Sequence, residues 1–254
     1  MTEIGVDISY ATVVVEIPPD ATADWKLVLT LPDPPHGLCH AVMAPTEDGR
    51  WIIVIADQSG RGLIETWDAF LEASRLLITP TLSNALRYAR PPDGIRHFRF
   101  PVSTWKHFER LPRLPRGVLP VADSFCRFNP IHAQGMSSAA KQARVLQDVL
   151  QRAAVQPDPI AAAQAGLAEV TSVLETPWIM STSADLAFPQ TRGERPDNFA
   201  EAREFEAALF RAAVADPIVH RAVMEVAQLL EPHQRLHEPD ILGRIEAVSG
   251  KAAA

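Results

Sequence analysis

LPVADSFCRFNPIHAQGM, residues 119–136, is the stretch on which the reading of the fold turns. The run Gly117–Val121 predicts a short buried strand leading into Ala122 and Asp123. A loop holding Pro130 follows, and then Gln134 and Gly135 open a helix. This order places one acid at the carboxyl end of a strand. It also places a set of backbone amides without intrahelical partners at a helix start.

Downstream, Met136, Ala139, Ala140, Ala143, Leu146, Val149, Leu150 and Ala153 recur on one helical face, which predicts a helix over Met136–Ala154. Pro157 and Pro159 end it and begin another over Ile160–Leu174. Thr176–Asp197, with Pro177, Pro189, Gly193 and Pro196, reads as a loop. Asn198 with Glu201 three residues on is a capping-box start for a helix over Phe199–Ala215, and Ile218–Leu230 is the last clear helix, stopped by Pro232. The tail Lys251–Ala254 reads as frayed.

Upstream the pattern changes to strands. YATVVVEIP, WKLVLTLP, GLCHAVMAP and RWIIVIAD, between Tyr10 and Asp57, are rich in β-branched and aromatic residues and are punctuated by prolines and Asp48-Gly49. Trp67, Phe70, Leu71, Ser74 and Leu77 give a helix over Thr66–Leu77, and Leu82–Ala89 a shorter one. Ile95–Phe100 and Thr104–Leu111, separated by Pro101, return as two strands. Sheet first and helices second make an α+β arrangement with an antiparallel sheet.

A chain of 254 residues that is 47% hydrophobic and 22% charged has the composition of a soluble globular protein. With 24 Lys+Arg against 31 Asp+Glu and no basic stripe among aromatics, the balance argues against nucleic acid as a partner. Cys39 and Cys126, far apart, make neither a disulfide framework nor a metal knuckle and fit a reducing cytoplasm, where the chain is expected. No apolar run is long enough for a transmembrane segment, and MTEIGVDIS is not a leader.

Several other features carry less. Gly60-Arg61-Gly62 follows the strand RWIIVIAD, but Glu65 stands at the third glycine position of a dinucleotide turn, so the segment reads as an ordinary turn. Pro232 and Pro239 bracket His233, His237 and Glu238, which read as a solvated terminal segment. His97, Trp105 and His107 read as strand-packing residues. Neither a G-x-S-x-G elbow nor a P-loop is present, and no metal site is predicted.

In the opening stretch, Asp123 can accept hydrogen bonds from sugar or ribitol hydroxyls. The amides at Gln134, Gly135 and Met136 favour an electron-rich ring edge or an anion. The order of acid, proline, glycine and methionine resembles the second flavin-contact motif of FAD-dependent monooxygenases of the para-hydroxybenzoate hydroxylase-like group, the aromatic hydroxylases and epoxidases. That motif is usually Gly-Asp-Ala, then Pro, then Gly-x-Gly-Met. The likeness continues through FRFPVSTWKHFERLPRLPRGVLPVADSFCRFNP upstream and TPWIMSTSADLAFPQTRGERP downstream, from about Ile4 to the last helix.

The resemblance implies a substrate-domain-like sheet over residues 1–115, part of an FAD-binding domain over 116–175 and a C-terminal loop and helices over 176–254. By it, Asp123 would contact the flavin ribitol, and Pro130 would lie beside the isoalloxazine. The amides of Ala133, Gln134, Gly135 and Met136 would line the pyrimidine end of the ring. It implies FAD as cofactor, NAD(P)H as electron donor and oxygen transfer to an apolar small molecule; it assigns no catalytic residue here. Ala122 and Ala133 stand where the family has glycine, and the family's N-terminal GxGxxG has no counterpart. An N-terminally truncated or split enzyme is therefore expected, completed by a separately encoded nucleotide-binding chain or by self-association. The alternative is an inactive remnant that binds a hydrophobic small molecule or complements a partner.

Overall fold

Alternating β-branched residues build the sheet. The computed structural model of the chain describes residues 1–21, 24–58, 60 and 62–252 and divides them into two units. One unit comprises Gly5–Val102 and Ala187–Thr191. Its strands β1 (Thr2–Val15), β2 (Val28–Thr30), β3 (Cys39–Pro45), β4 (Trp51–Asp57) and β5 (Arg96–Trp105) lie in the order β2-β3-β4-β1-β5. The pairs β1/β4, β2/β3 and β3/β4 are antiparallel. Ala11 and Ala41 flank Ile55, while Val13 and Met43 flank Ile53. Side chains alternate between faces along a strand, so these residues form one continuous apolar surface. Helices α1 (Trp67–Arg75) and α2 (Thr81–Leu86) cover it through Phe70, Ala73, Leu82 and Leu86. The Thr66 hydroxyl starts α1 by accepting from the Ala69 amide at 3.2 Å.

Two expectations change in this unit. β1 begins at Thr2 rather than Tyr10, and Asp7 within it has φ 44°, a left-handed residue that breaks the alternation on which the sequence reading rests. Residues 96–105 form one strand, with Pro101 exposed inside it. The continuation expected to Leu111 is instead a turn, where His107 has φ 50° ahead of a single 3-10 turn over Phe108–Arg110.

The second unit comprises Met1–Ile4, Ser103–Leu186 and Arg192–Ala254. Here β6 (Cys126–Arg127) pairs antiparallel with Thr104 and Trp105. Helices α3 (Gly135–Ala153), α4 (Pro159–Ala165), α5 (Leu167–Leu186), α6 (Phe199–Ala215), α7 (Pro217–Ala227) and α8 (Pro239–Ala252) follow. Phe125, Cys126 and Phe128 pack with Trp105 against Leu167, Val170 and Leu174 of α5. A separate core joins Leu209, Ala212, Val219, Ala222, Val226, Leu236, Ile241 and Ile245 from α6 to α8. Among the described residues no helix is long and apolar enough to cross a membrane.

The strand expected at Gly117–Val121 is absent. Pro115 and Pro120 remove backbone donors, Gly117 has φ 80°, and the carbonyls of Pro115 and Val118 accept from Gln164 Nε2 at 2.7 and 3.3 Å instead of joining a ladder. The helix expected over Ile160–Leu174 is broken at Gly166, where a Cβ would overlap the Val149 side chain of α3. The loop expected from Thr176 is helix as far as Leu186, with Pro177 inside α5. Burial along one long face of this helix, through Val170, Leu174, Pro177 and Ser181, outweighs the hydrogen bond the proline removes.

Asn198 makes no side-chain cap, so the capping box does not form; α7 is capped by Asp216, whose Oδ1 accepts from Ile218 N at 2.8 Å. Residues 233–237 form a 3-10 turn with Leu236 buried and His237 stacked on Phe205 at 4.6 Å, not a solvated segment. Helix α8 lies beyond the last helix that periodicity predicts. It extends into the tail expected to fray, whose last two residues, 253 and 254, lie outside the described residues.

The Gly166 approach generates a test. Gly166→Ala is expected to lower unfolding free energy by about 1–3 kcal/mol, as overpacking does, and Val149→Ala in the same chain is expected to recover part of that loss. Denaturant unfolding that finds Gly166→Ala neutral would refute the close approach.

Candidate functional site

The opening stretch is held from beneath by Phe125, Cys126 and Phe128, all buried in the core with α5. Ahead of them Ala122–Ser124 form a 3-10 turn. Ser124 closes it, its Oγ donating to Val121 O at 2.6 Å and accepting from Val121 N at 3.1 Å. Ala122 adopts φ 50°, and its amide donates at 2.8 Å to Oε1 of the fully buried Gln142, whose Nε2 reaches Ser138 Oγ at 3.1 Å. The acid-bearing turn is therefore fastened beside the first two turns of α3. Asp123 lies in this turn, not at a strand end, and its exposed carboxylate has no protein partner among the described residues.

Beyond β6, Asn129 Oδ1 accepts from the Ile131 amide at 3.3 Å and caps the 3-10 turn Pro130–His132. Pro130 is exposed at its first position, and Ala133 ends it with φ 54°. Helix α3 then begins at Gly135, and its first backbone bond runs from Ser138 N to Gln134 O at 2.9 Å. The amides of Gly135, Met136 and Ser137 are left without protein partners among the described residues, at the positive end of a 19-residue helix. Gln134 directs its side chain away, Nε2 donating to Ala227 O at 2.9 Å, and Lys141 Nζ bonds Leu229 O. Met136 is exposed, and a Cβ added at Gly135 would touch nothing, so the space over these amides is open.

Under Pro130 lies a buried polar cluster. Asp185, 1% exposed in the last turn of α5, accepts through Oδ1 from Asn129 Nδ2 at 2.9 Å and from His132 Nε2 at 3.0 Å. Its Oδ2 is buried without a partner among the described residues. Sequence reasoning missed Asn129, His132, Gln142 and Asp185. Asp185 sits in the segment read as loop, where an acid looks solvated; the usable signal was an Asx-Pro pair, Asn129-Pro130, which favours turn initiation.

Burial, with the charges of Asp123 and Glu109, pushes the Cys126 thiol well above its ordinary range, so this cysteine is not a thiolate nucleophile. His97 is exposed and bonded through Nε2 to Ile64 O at 2.9 Å. His107, held between Thr2 Oγ1 at 2.8 Å and Glu109 Oε1 at 2.7 Å and stacked on Trp105 at 4.7 Å, is a packing residue. Arg61 of Gly60-Arg61-Gly62 lies outside the described residues. Among the described residues no cluster of His, Cys, Asp or Glu has the make-up of a metal site.

These features fit a flavin at the ring and ribitol. There is an unpaired carboxylate for hydroxyls, three open amides at a helix start for the polar ring edge, and the small Ala133 and Gly135 between. Both alanines that replace family glycines carry positive φ, so the backbone retains the left-handed conformation that glycine serves.

The fold is similar to part of the fold of FAD-dependent monooxygenases. HpxO of Klebsiella pneumoniae, in its complex with FAD and uric acid, superposes with a TM-score of 0.51 and 15% identity, over 98% of this chain and 54% of HpxO. PqsL of Pseudomonas aeruginosa, in complex with 2-aminobenzoylacetate, gives 0.50 and 15% identity, over 71% of this chain and 49% of PqsL. In sequence the chain is 26% identical over 244 residues to protein Rv3254 of Mycobacterium tuberculosis, covering 95% of this chain and 50% of that protein. It thus spans about half the length of the proteins it matches. No family model matches it.

Left-handed alanine generates a second test. Ala122→Gly and Ala133→Gly are each expected to raise the urea midpoint, by roughly 0.5–1 kcal/mol of stability, since an L-side chain in this region costs about 1–2 kcal/mol and glycine's looser unfolded state returns part of it. A lower midpoint for either would place the strain elsewhere.

Proposed function

We propose that this chain is the substrate-sheet and flavin-contact portion of an FAD-dependent oxidoreductase of the monooxygenase kind. It would oxygenate an apolar small molecule, with NAD(P)H as electron donor. The observation that carries the proposal is the pairing of the free Asp123 carboxylate with the open amides of Gly135–Ser137, in a fold that superposes on FAD-bound HpxO over 98% of the chain. Bound flavin would supply electron transfer and oxygen activation. The chain's own groups would bind and orient: Asp123 accepts from ribitol hydroxyls, Pro130 limits the tilt of the ring, and the amides of Gln134, Gly135 and Met136 meet its pyrimidine edge, with Ala133, whose amide is given to Pro130 O at 3.0 Å, shaping the turn before them. A ring edge that gains negative charge on reduction is favoured by those amides and by the helix dipole behind them.

The substrate wall would come from the sheet face opposite the α1/α2 core. There Tyr10 and Phe98 lie 5.8 Å apart, and Thr12, Val14, Ile52, Pro92 and Ile95 line a groove of about 460 Å³ with Arg50 and Arg96 at its rim. Such a surface suits a flat apolar molecule with one polar end. Residues 1–115 would thus form the substrate part, 116–175 the flavin part and 176–254 the helical support. The groups for the adenosine end of FAD would come from outside these residues, on a preceding segment, a separate nucleotide-binding chain or a second copy.

A second reading is favoured by Ala122 and Ala133. Two methyl groups where the family has glycine suit a protein that has kept the cavity but not the cofactor, and that binds a hydrophobic small molecule or complements a partner. The chain purified alone is expected to hold little or no flavin under either reading; a stoichiometric flavin spectrum would overturn that. Co-expressed with a nucleotide-binding half it is expected, under the first reading, to retain FAD. Asp123→Ala should then weaken retention about tenfold or more, the worth of a charge-assisted bond. FAD held equally well by Asp123→Ala would remove Asp123 from the site.

A further inference from the structure

Asp185 carries several costs together. It is 1% exposed, its Oδ2 has no partner among the described residues, and it occupies the last turn of α5, where the helix dipole disfavours an acid and that turn itself carries no basic residue. Nothing in α5 requires a carboxylate there, since the turn before it is sustained by Ser181 and Thr182 bonding back to Pro177 O and Trp178 O. The two donors that satisfy Oδ1 both come from one short loop, Asn129 Nδ2 at 2.9 Å and His132 Nε2 at 3.0 Å. They bracket Pro130, and the residue after His132 is the left-handed Ala133 that precedes α3. The bond to Asp185 also fixes the His132 ring, because a carboxylate accepts only from a protonated nitrogen, so Nε2 carries hydrogen.

We propose that Asp185 is the positioning residue of the loop Asn129–Gly135. Through Asn129 and His132 it holds Pro130 and the first amides of α3 in the conformation that receives the flavin ring, and it sets the tautomer of His132 beside that ring. Asp185 touches neither cofactor nor substrate; it acts through the loop. The assignment of the loop to a flavin rests on the function proposed above, whereas the anchoring does not, and the two are tested separately.

The experiment is amide hydrogen exchange by NMR on the full chain, together with ¹⁵N shifts of the His132 ring. Asp185→Leu, similar in volume and without an acceptor, is expected to speed exchange of the amides at 131–136 at least tenfold while α6–α8 keep theirs, and to release the Nε2–H tautomer. Asp185→Asn, which keeps one acceptor oxygen, is expected to restore most of the protection. His132→Phe and Asn129→Ser, which remove the donors without altering α5, are expected to loosen the same amides, and they decide the matter if Asp185→Leu does not fold. Unchanged exchange and tautomer, or a uniform loss across the whole helical unit, would overturn the inference. In the co-expressed FAD-loaded protein, Asp185→Leu should lose flavin while Ile245→Ala, a substitution in the core of α8, should not; equal loss by both would also overturn it. Wild-type protein that takes no FAD in that format would refute the proposed function, and the exchange result would still stand or fall by itself.

Discussion

Burial of Phe125, Cys126 and Phe128 under α5 is the contact on which the helical unit depends. Phe125 is fully buried and Phe128 nearly so, and a large apolar side chain taken out of water contributes roughly 1.5–3 kcal/mol. The two residues of β6 form only a short ladder with Thr104 and Trp105, too little to hold a loop in place. Apolar packing holds it, which frees the polar groups on either side to face outward. Asp123 on one flank and the amides of Gly135–Ser137 on the other are available because the residues between them are anchored.

The same packing explains α5. Trp178 meets Trp105 edge-on at 5.5 Å and lies 6.5 Å from Phe128, and Leu167, Val170 and Leu174 extend that apolar contact along the helix. Its buried positions include Thr171, Thr176, Ser181, Thr182 and Asp185 while Ala168 and Ile179 face outward, so the amphipathic signature is blurred, and Pro177 adds a false stop. That is why Thr176–Asp197 reads as a loop in sequence and folds as helix as far as Leu186. Periodicity succeeds where one face meets water, as in α3, and in β3 and β4, whose alternate residues meet α1 and α2. It fails at Asp7, where a left-handed residue interrupts β1, and at α8. There Pro239 at the first turn with Ile241, Ile245 and Val248 at helical spacing offers a start signal that the histidine-bearing segment before it obscures.

For the site, the residues that present themselves outward were legible and those that support them were not. Asp123, Pro130 and Gly135 follow from the order of residue types along the chain. Gln142 lies seven residues inside α3, and Asp185 comes from a distant helix. Both act as buried polar anchors, a role composition conceals because glutamine and aspartate are ordinarily surface residues. The left-handed backbone at Ala122 and Ala133 was foreshadowed by the glycines of the related motif, and alanine gives no sign of it alone.

Helix α7 is tied at its end to the start of α3. Its carbonyl at Ala227 takes the amide of the Gln134 side chain, and Leu229, left-handed just beyond, takes the Lys141 ammonium. The helix closes its own final turn around the left-handed Leu229, with Leu229 N bonded to Val226 O at 2.9 Å and Leu230 N to Glu225 O at 2.8 Å, and the two side chains from almost a hundred residues earlier take carbonyls at that end. Gln134 at the start of α3 and Lys141 in its second turn therefore share hydrogen bonds with the end of α7. A truncation that removed α7 would take the acceptors of both the Gln134 and the Lys141 side chains, so the C-terminal helices are part of the frame of the site rather than an appendage to it.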